Sequence, residues 1–219
     1  MFSYYGRKSK SARYYPEPTH DTIIEPFAGA AAYSLWGNNW QKKVILVDKY
    51  PVIADIWSYL KQAKPEEILQ LPDLKKGDKI DSFTQLVDAE KWLIGFCINR
   101  GNPRPVKTAN NYNSWAKDKI RIASELHKIR HWEILCCDYT ESPEVEATWF
   151  VDPPYVEKGY KYSFGTRQID YPKLAGWCKT RSGQVMVCES LGATWLPFNE
   201  LYSFVGIQGT QSKEAIWIA

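Results

Sequence analysis

Seven short runs of apolar or β-branched residues, most of them closing on an acid or a turn residue, constrain the fold of this chain more than any other feature: 22–27, 43–48, 132–138, 148–152, 184–189, 201–207 and 213–218. Runs of this length and content predict strands. Between most of them the apolar spacing predicts helices over Ala30–Trp36, Pro51–Lys61, Asp88–Asn99 with Gly101 just beyond, Ser114–Arg130 and Tyr171–Arg181. Strands that are apolar almost throughout leave no face for water. A chain alternating them with helices therefore predicts a parallel sheet covered on both sides, the α/β class. The last two runs lack a helical spacer and are expected to form an antiparallel hairpin turning at 206–212. Residues 1–219 read as a single domain, since 44% hydrophobic content suffices for a full core. The mostly helical stretch of about 52–131, broken by a loop at 100–113, reads as an insertion between the second and third strands.

In such a sheet, ligands bind beyond the carboxyl ends of the strands, near the reversal of strand order. Four suggestive groups fall there. Glu25-Pro26-Phe27-Ala28-Gly29-Ala30 makes a tight turn of small residues, expected to lead into a helix, where a cofactor can approach the backbone. It is not a phosphate loop, and it holds one glycine of the three in the dinucleotide fingerprint, which disfavours a dehydrogenase. Asp48, followed by Lys49, lies about 20 residues on, where an acid bonds ribose hydroxyls in nucleotide-binding α/β folds; a turn aspartate is the plain alternative. Asp138 and Tyr139 close the third run, and Asp152-Pro153-Pro154-Tyr155 closes the fourth. The exocyclic amine of adenine or cytosine is a poor nucleophile because its lone pair is delocalised into the ring, so acceptors must pull on its N–H bonds. Asp152 offers a charged acceptor, Pro153 a carbonyl on stiff backbone, and Tyr155 a ring to stack on the base. Asp-Pro-Pro is also what an ordinary strand-ending turn looks like.

The net charge of +3 identifies no partner, but its distribution is uneven. From Ile98 to His131 there are eight Lys/Arg against two acids, with Asn, Trp and Tyr interleaved. This pattern suits a phosphate-facing surface built on Arg100, Arg104, Lys107, Asn111, Tyr112, Trp115 and Lys117, and equally a solvated helix face. The five cysteines form no C-x-x-C pair, and Cys136-Cys137 are expected to be reduced thiols in a buried strand. His127 and His131 have helical spacing but no third ligand, so no metal is expected. No run approaches the roughly 20 apolar residues of a membrane helix, and the first residues lack a signal-peptide core. A cytoplasmic location without a membrane partner is the expectation.

Together these residues resemble the S-adenosylmethionine-dependent DNA amino-methyltransferases, specifically the adenine-N6 branch (Dam-like), in which the cofactor motif precedes the recognition region and Asp-Pro-Pro-Tyr follows it. The resemblance covers almost the whole chain. Tyr4-Tyr5-Gly6-Arg7-Lys8-Ser9 is similar to that family's Gly-x-Lys motif, residues 25–29 to its cofactor loop, and Lys213-Glu214-Ala215-Ile216-Trp217 to its closing hairpin. It implies a Rossmann-like methyltransferase fold, with S-adenosylmethionine held by Tyr5, Lys8, Glu25, Pro26, Phe27, Ala28, Gly29, Ala30, Asp48, Lys49, Asp138, Tyr139 and Asp152. Asp152 to Tyr155 would carry methyl transfer to a flipped adenine in double-stranded DNA. Cytosine-directed relatives usually carry Ser in place of Asp152, which favours adenine. An RNA adenine methyltransferase and a catalytically inactive nucleic-acid-binding relative are the alternatives. Two departures stand out: Ala31 replaces the usual second glycine of the loop, which is expected to cost little, and the recognition region is short. Such compactness is typical of phage or prophage versions, which implies a bacterial or phage-infected cell; monomer and homodimer are both compatible with it.

Overall fold

The apolar runs assemble into one sheet, whose order decides where a ligand can sit. The computed structural model describes all residues except Lys10, Arg100 and 206–210, and only the backbone of Phe204, Val205, Gln211 and Ser212. The strands are β1 (Thr22–Glu25), β2 (Lys43–Val47), β3 (Glu133–Leu135), β4 (Ala147–Val151), β5 (Gly183–Ser190), β6 (Asn199–Val205) and β7 (Gln211–Ile218). They lie in the order β3-β2-β1-β4-β5-β7-β6. The first five are parallel, and β7 runs antiparallel to both β5 and β6. The architecture is thus α/β with a mixed, mostly parallel sheet, consistent with a Rossmann-like fold. The expected C-terminal hairpin pairing is present, while the turn expected within 206–212 falls mainly outside the described residues.

β1, β2, β4 and β5 each feed two cores, because successive side chains point to opposite faces. Ile23, Val44, Leu46, Phe150, Met186 and Cys188 pack on one side. Ile24, Ile45, Val47, Trp149, Val151 and Val187 pack on the other. Burial on both faces explains why these strands read as continuous apolar runs. The helices α1 (Pro51–Gln62), α2 (Pro65–Gln70), α3 (Asp88–Cys97) and α4 (Trp115–Glu125) all lie between β2 and β3. In α1, Pro51 starts the first turn, and Ile53, Ile56, Trp57 and Leu60 form the buried stripe that helical periodicity dictates. Its C-terminal carbonyls at Lys61 and Ala63 accept from the Arg130 guanidinium. α5 (Tyr171–Lys179) covers the other face with Leu174, Ala175 and Cys178, and its Asp170 cap accepts from the Lys173 N–H at 3.0 Å.

Three local expectations are corrected. Residues 30–36 form turns instead of a helix: Ala31 has φ 47° and the buried Glu25 carboxylate accepts the Ser34 N–H at 2.8 Å, so the chain winds around that acid. β3 stops at Leu135, and Cys136 is exposed, because an edge strand has a neighbour on one side only. The helix expected to Arg130 ends as α at Glu125 and continues as a 3-10 turn over Leu126–Ile129. Among the described residues, no helix is long and apolar enough to cross a membrane.

Candidate active site

β1 and β4 are neighbours at the centre of the sheet, and the chain leaves them for opposite sides of the strand order. A crevice opens at their carboxyl ends for that reason. It is a cleft of about 960 Å³, including its open mouth, and it gathers Phe27 to Ala32 after β1, Asp48 and Lys49 after β2, Asp138 and Tyr139 after β3, and Asp152 after β4. The four groups anticipated from strand ends therefore share one cavity. Tyr5, Lys8, Glu25 and Pro26 line it too.

The loop after β1 is fixed at both ends of one peptide unit pair. The Gly29 N–H donates to Asp48 Oδ2 at 2.9 Å, and the Gly29 carbonyl accepts from the Trp57 indole at 2.8 Å. Gly29 has φ 45°, and a Cβ there would come within 3.0 Å of the Tyr4 ring, so both conformation and space call for glycine. The N-terminal strip passes over the loop at this point. At Gly6 the approach is closer still, since a Cβ would lie 2.1 Å from the Tyr162 hydroxyl. Ala31 occupies the left-handed region as well, where a side chain costs about 1–2 kcal/mol. The substitution of Ala for glycine is therefore more costly than the sequence suggested.

Three acids that line this cleft, Asp48, Glu25 and Asp152, are held up by burial. Asp48 is pushed up to about 6, although the N–H groups of Gly29 and Tyr50, each at 2.9 Å, favour its ionised form. Each of its oxygens keeps a second lone pair. Glu25 is pushed up to about 8 against the Ser34 hydrogen bonds. Asp138 behaves differently: burial works upward, but Lys49 at 2.9 Å and Thr140 outweigh it and hold the carboxyl low. Beside it, the Tyr139 and Phe27 rings stack with centroids 5.4 Å apart.

A second cleft, of about 1090 Å³ with its mouth, lies across Asp152 from the first and is lined by Pro153, Tyr155, Lys158, Tyr202 and Glu214. Asp152 and Lys8 line both. Asp152 is pushed up to about 6 by burial, with Lys8 opposing and Glu214 adding to the shift. Lys8 stands 3.1 Å from Asp152 Oδ1, and although burial acts to lower its pKa, Asp152 and Glu214 raise it overall, so it stays a cation. The Pro154 carbonyl accepts from the Tyr171 hydroxyl at 2.6 Å. Among the described residues, nothing donates to the Pro153 carbonyl. The Tyr155 hydroxyl donates to Glu214 and lies 2.5 Å from Lys8 Nζ.

Sequence reasoning missed two carboxylates. Glu189 ends its apolar run just as Asp48 and Asp152 end theirs, so the signal was present. It is fully buried, accepts the Val156 N–H at 2.7 Å and the Ser190 N–H, and so ties the segment after Tyr155 to the end of β5. Glu214 lies within the strand-like segment 213–218, where nothing in the sequence says that it reaches Tyr155.

The expected nucleic-acid residues divide. Arg100 lies outside the described residues. Arg104 is exposed and its Nε donates to Ser163 at 3.3 Å, in the segment between β4 and α5 that also supplies Tyr162 and Phe164 to the first cleft. Lys107 is paired with Asp81 at 2.9 Å, while Asn111, Tyr112 and Lys117 are exposed. Trp115 is not available for stacking: it is fully buried, and its indole donates to the Pro72 carbonyl at 2.9 Å. Three of the counted cations also serve the fold, since Arg121 pairs with Asp118, Lys119 with Asp73, and Arg130 caps α1. Among the described residues there is no group of three or more His, Cys, Asp or Glu side chains placed to hold a metal. Compared with known proteins, this chain matches no family model and no curated protein sequence.

Proposed function

We propose that this chain transfers a methyl group from S-adenosylmethionine to the exocyclic amino group of a flipped adenine in DNA. The observation that carries the reading is that one carboxylate, Asp152, lines two clefts at the centre of the sheet. A methyl donor in the first and a planar base in the second would meet at that group. The seven-stranded sheet with its antiparallel C-terminal pair agrees with the methyltransferase fold that the motifs imply.

The residues of the first cleft fit the cofactor. Phe27 and Tyr139 offer apolar rings to an adenine moiety, Asp48 has lone pairs for ribose hydroxyls, and the backbone around Gly29 leaves room for close approach. When bound, S-adenosylmethionine supplies an electrophilic methyl group on a sulfonium, which is a good leaving group. The protein's part is to hold and polarise the base. Asp152 accepts one amino hydrogen and the Pro153 carbonyl the other, while the Tyr155 ring stacks on the flipped base. Extrahelical binding costs a few kcal/mol of unstacking. Alignment of nitrogen and methyl supplies much of the acceleration.

Calorimetry with S-adenosylmethionine, followed by transfer of a labelled methyl group to duplex DNA and to RNA, tests the reading. Transfer to DNA with modified adenines on sequencing is the expected result. Transfer to RNA alone moves the substrate to RNA. No binding of S-adenosylmethionine, with or without DNA, removes the proposal.

A further inference from the structure

One buried carboxylate reaches the catalytic cluster from the far end of the chain. Glu214, on β7, is 6% exposed. Its Oε1 accepts from the Tyr155 hydroxyl and, at 3.0 Å, from the Tyr15 hydroxyl, and stands 3.2 Å from Lys8 Nζ. Lys8, itself 9% exposed, is 3.1 Å from Asp152 Oδ1. The ammonium is therefore held between two carboxylates at nearly equal distance.

We propose that Glu214 is a positioning residue for methyl transfer, the alternative counter-ion that lets Lys8 release the Asp152 carboxylate to the target amino group while keeping the Tyr155 ring in place. The inference rests on the methyltransferase reading above. A buried ammonium cannot give up its only counter-ion without a large electrostatic penalty. A lysine paired with Asp152 alone would compete with the substrate's N–H groups for the acceptor they need. With Glu214 already in contact, Lys8 shifts toward it and Asp152 becomes available. The hydroxyl bond to Glu214 also fixes the Tyr155 side chain, so the ring is oriented before a base arrives.

Glu214 acts on the titration of Asp152 as well. The groups facing Asp152 are Lys8 from the N-terminal strip, Glu214 from β7, Tyr155 beside it, Cys188 from β5, Glu25 from β1, and Tyr15 and Tyr162. Burial keeps the thiol and the three hydroxyls protonated near neutrality and holds Glu25 up at about 8. Lys8 and a hydrogen bond from Tyr155 then lower the Asp152 pKa, and the Glu214 carboxylate raises it.

The test is single-turnover transfer of a labelled methyl group to duplex DNA as a function of pH, for wild type, Glu214→Gln, Lys8→Met and the double variant, with S-adenosylmethionine binding by calorimetry. Glu214→Gln is expected to bind S-adenosylmethionine within about twofold of wild type and to transfer at least about tenfold more slowly near pH 7, because Lys8 then has Asp152 as its one carboxylate. Its acid limb should move to lower pH, since a repelling charge is gone. Lys8→Met should move the limb up, and the double variant should move it back and transfer faster than Lys8→Met alone. Wild-type transfer with an unmoved limb in Glu214→Gln overturns the proposal, and so does equal loss of cofactor binding and transfer, which would make Glu214 a fold-holding residue. If Glu214→Gln does not fold, Glu214→Asp keeps the charge but falls short of Lys8, and wild-type transfer by that variant is equally fatal. A wild type that methylates neither DNA nor RNA defeats the methyltransferase reading itself, and the role of Glu214 with it; an active wild type with an equally active Glu214→Gln defeats only the latter.

Discussion

Replacing Asp152 by Asn keeps the outline of the side chain and removes its charge, with opposite expected effects on reaction and fold. For the reaction, a charged acceptor contributes roughly 1.5–3 kcal/mol, and more in a closed site of low dielectric. The amide also presents N–H groups toward the N–H groups it should receive. At about 1.4 kcal/mol per decade, transfer should fall by roughly 10²-fold or more. For the fold, burial displaces Asp152 from 3.8 to about 6. The folded state then binds more protons than the unfolded state between those values, so stability falls as pH rises through that window. Above it, ionisation of the buried carboxyl costs the fold stability. Asn escapes that cost, and Lys8 retains Glu214 at 3.2 Å. Asp152→Asn should therefore melt no lower than wild type near pH 7, with the difference shrinking toward about pH 4. Single-turnover transfer and calorimetric melting at both pH values measure the two effects. Transfer near the wild-type rate would reduce Asp-Pro-Pro to a strand-ending turn. A lower melting temperature near pH 7 would mean that the Lys8 ion pair stabilises the fold more than burial of Asp152 costs it.

Four further outcomes are expected. Asp48→Ala should weaken S-adenosylmethionine binding by about 1.5–3 kcal/mol in calorimetry, because it removes ribose acceptors and also frees the Gly29 N–H that it now holds; unchanged binding would make Asp48 a turn residue. Ala31→Gly should stabilise the fold by about 1 kcal/mol, or roughly 2–4 °C in melting temperature, since the backbone there is left-handed; a loss of stability would refute that conformation. Glu25→Gln should raise the melting temperature more near pH 8 than near pH 5, because Glu25 is held up at about 8 and its ionisation lowers stability as pH climbs from 4.5 toward that value; equal effects at both pH values would place the carboxyl in contact with water. Arg104→Ala should reduce the slope of log K against log salt for duplex DNA by about 0.9, and Lys107→Ala by much less, since Lys107 already has Asp81 at 2.9 Å; equal reductions would return Lys107 to the contact surface.

Strand segments, the α/β class and the carboxyl-edge positions of Gly29, Asp48, Asp138 and Asp152 were legible in the sequence because they follow from local run length, apolar content and chain direction. The antiparallel pairing of the last two strands was legible for the same reason, since no helix separates them. The helix expected after β1 failed because periodicity knows nothing of the buried Glu25 carboxylate around which residues 30–36 turn. Trp115 read about equally as a stacking ring among cations and as a core residue, and it is buried, because only packing decides which side of a basic helix faces the core. The insertion of β7 between β5 and β6 is a matter of strand order, which no local pattern encodes. That insertion places Glu214 against Tyr155, and the crossing of the N-terminal strip over Gly29 places Lys8 between Glu214 and Asp152. The sequence by itself supplied the acceptors at the strand ends; the tertiary structure alone decided which charges surround them, because those partners come from chain segments that meet only when the sheet closes its order.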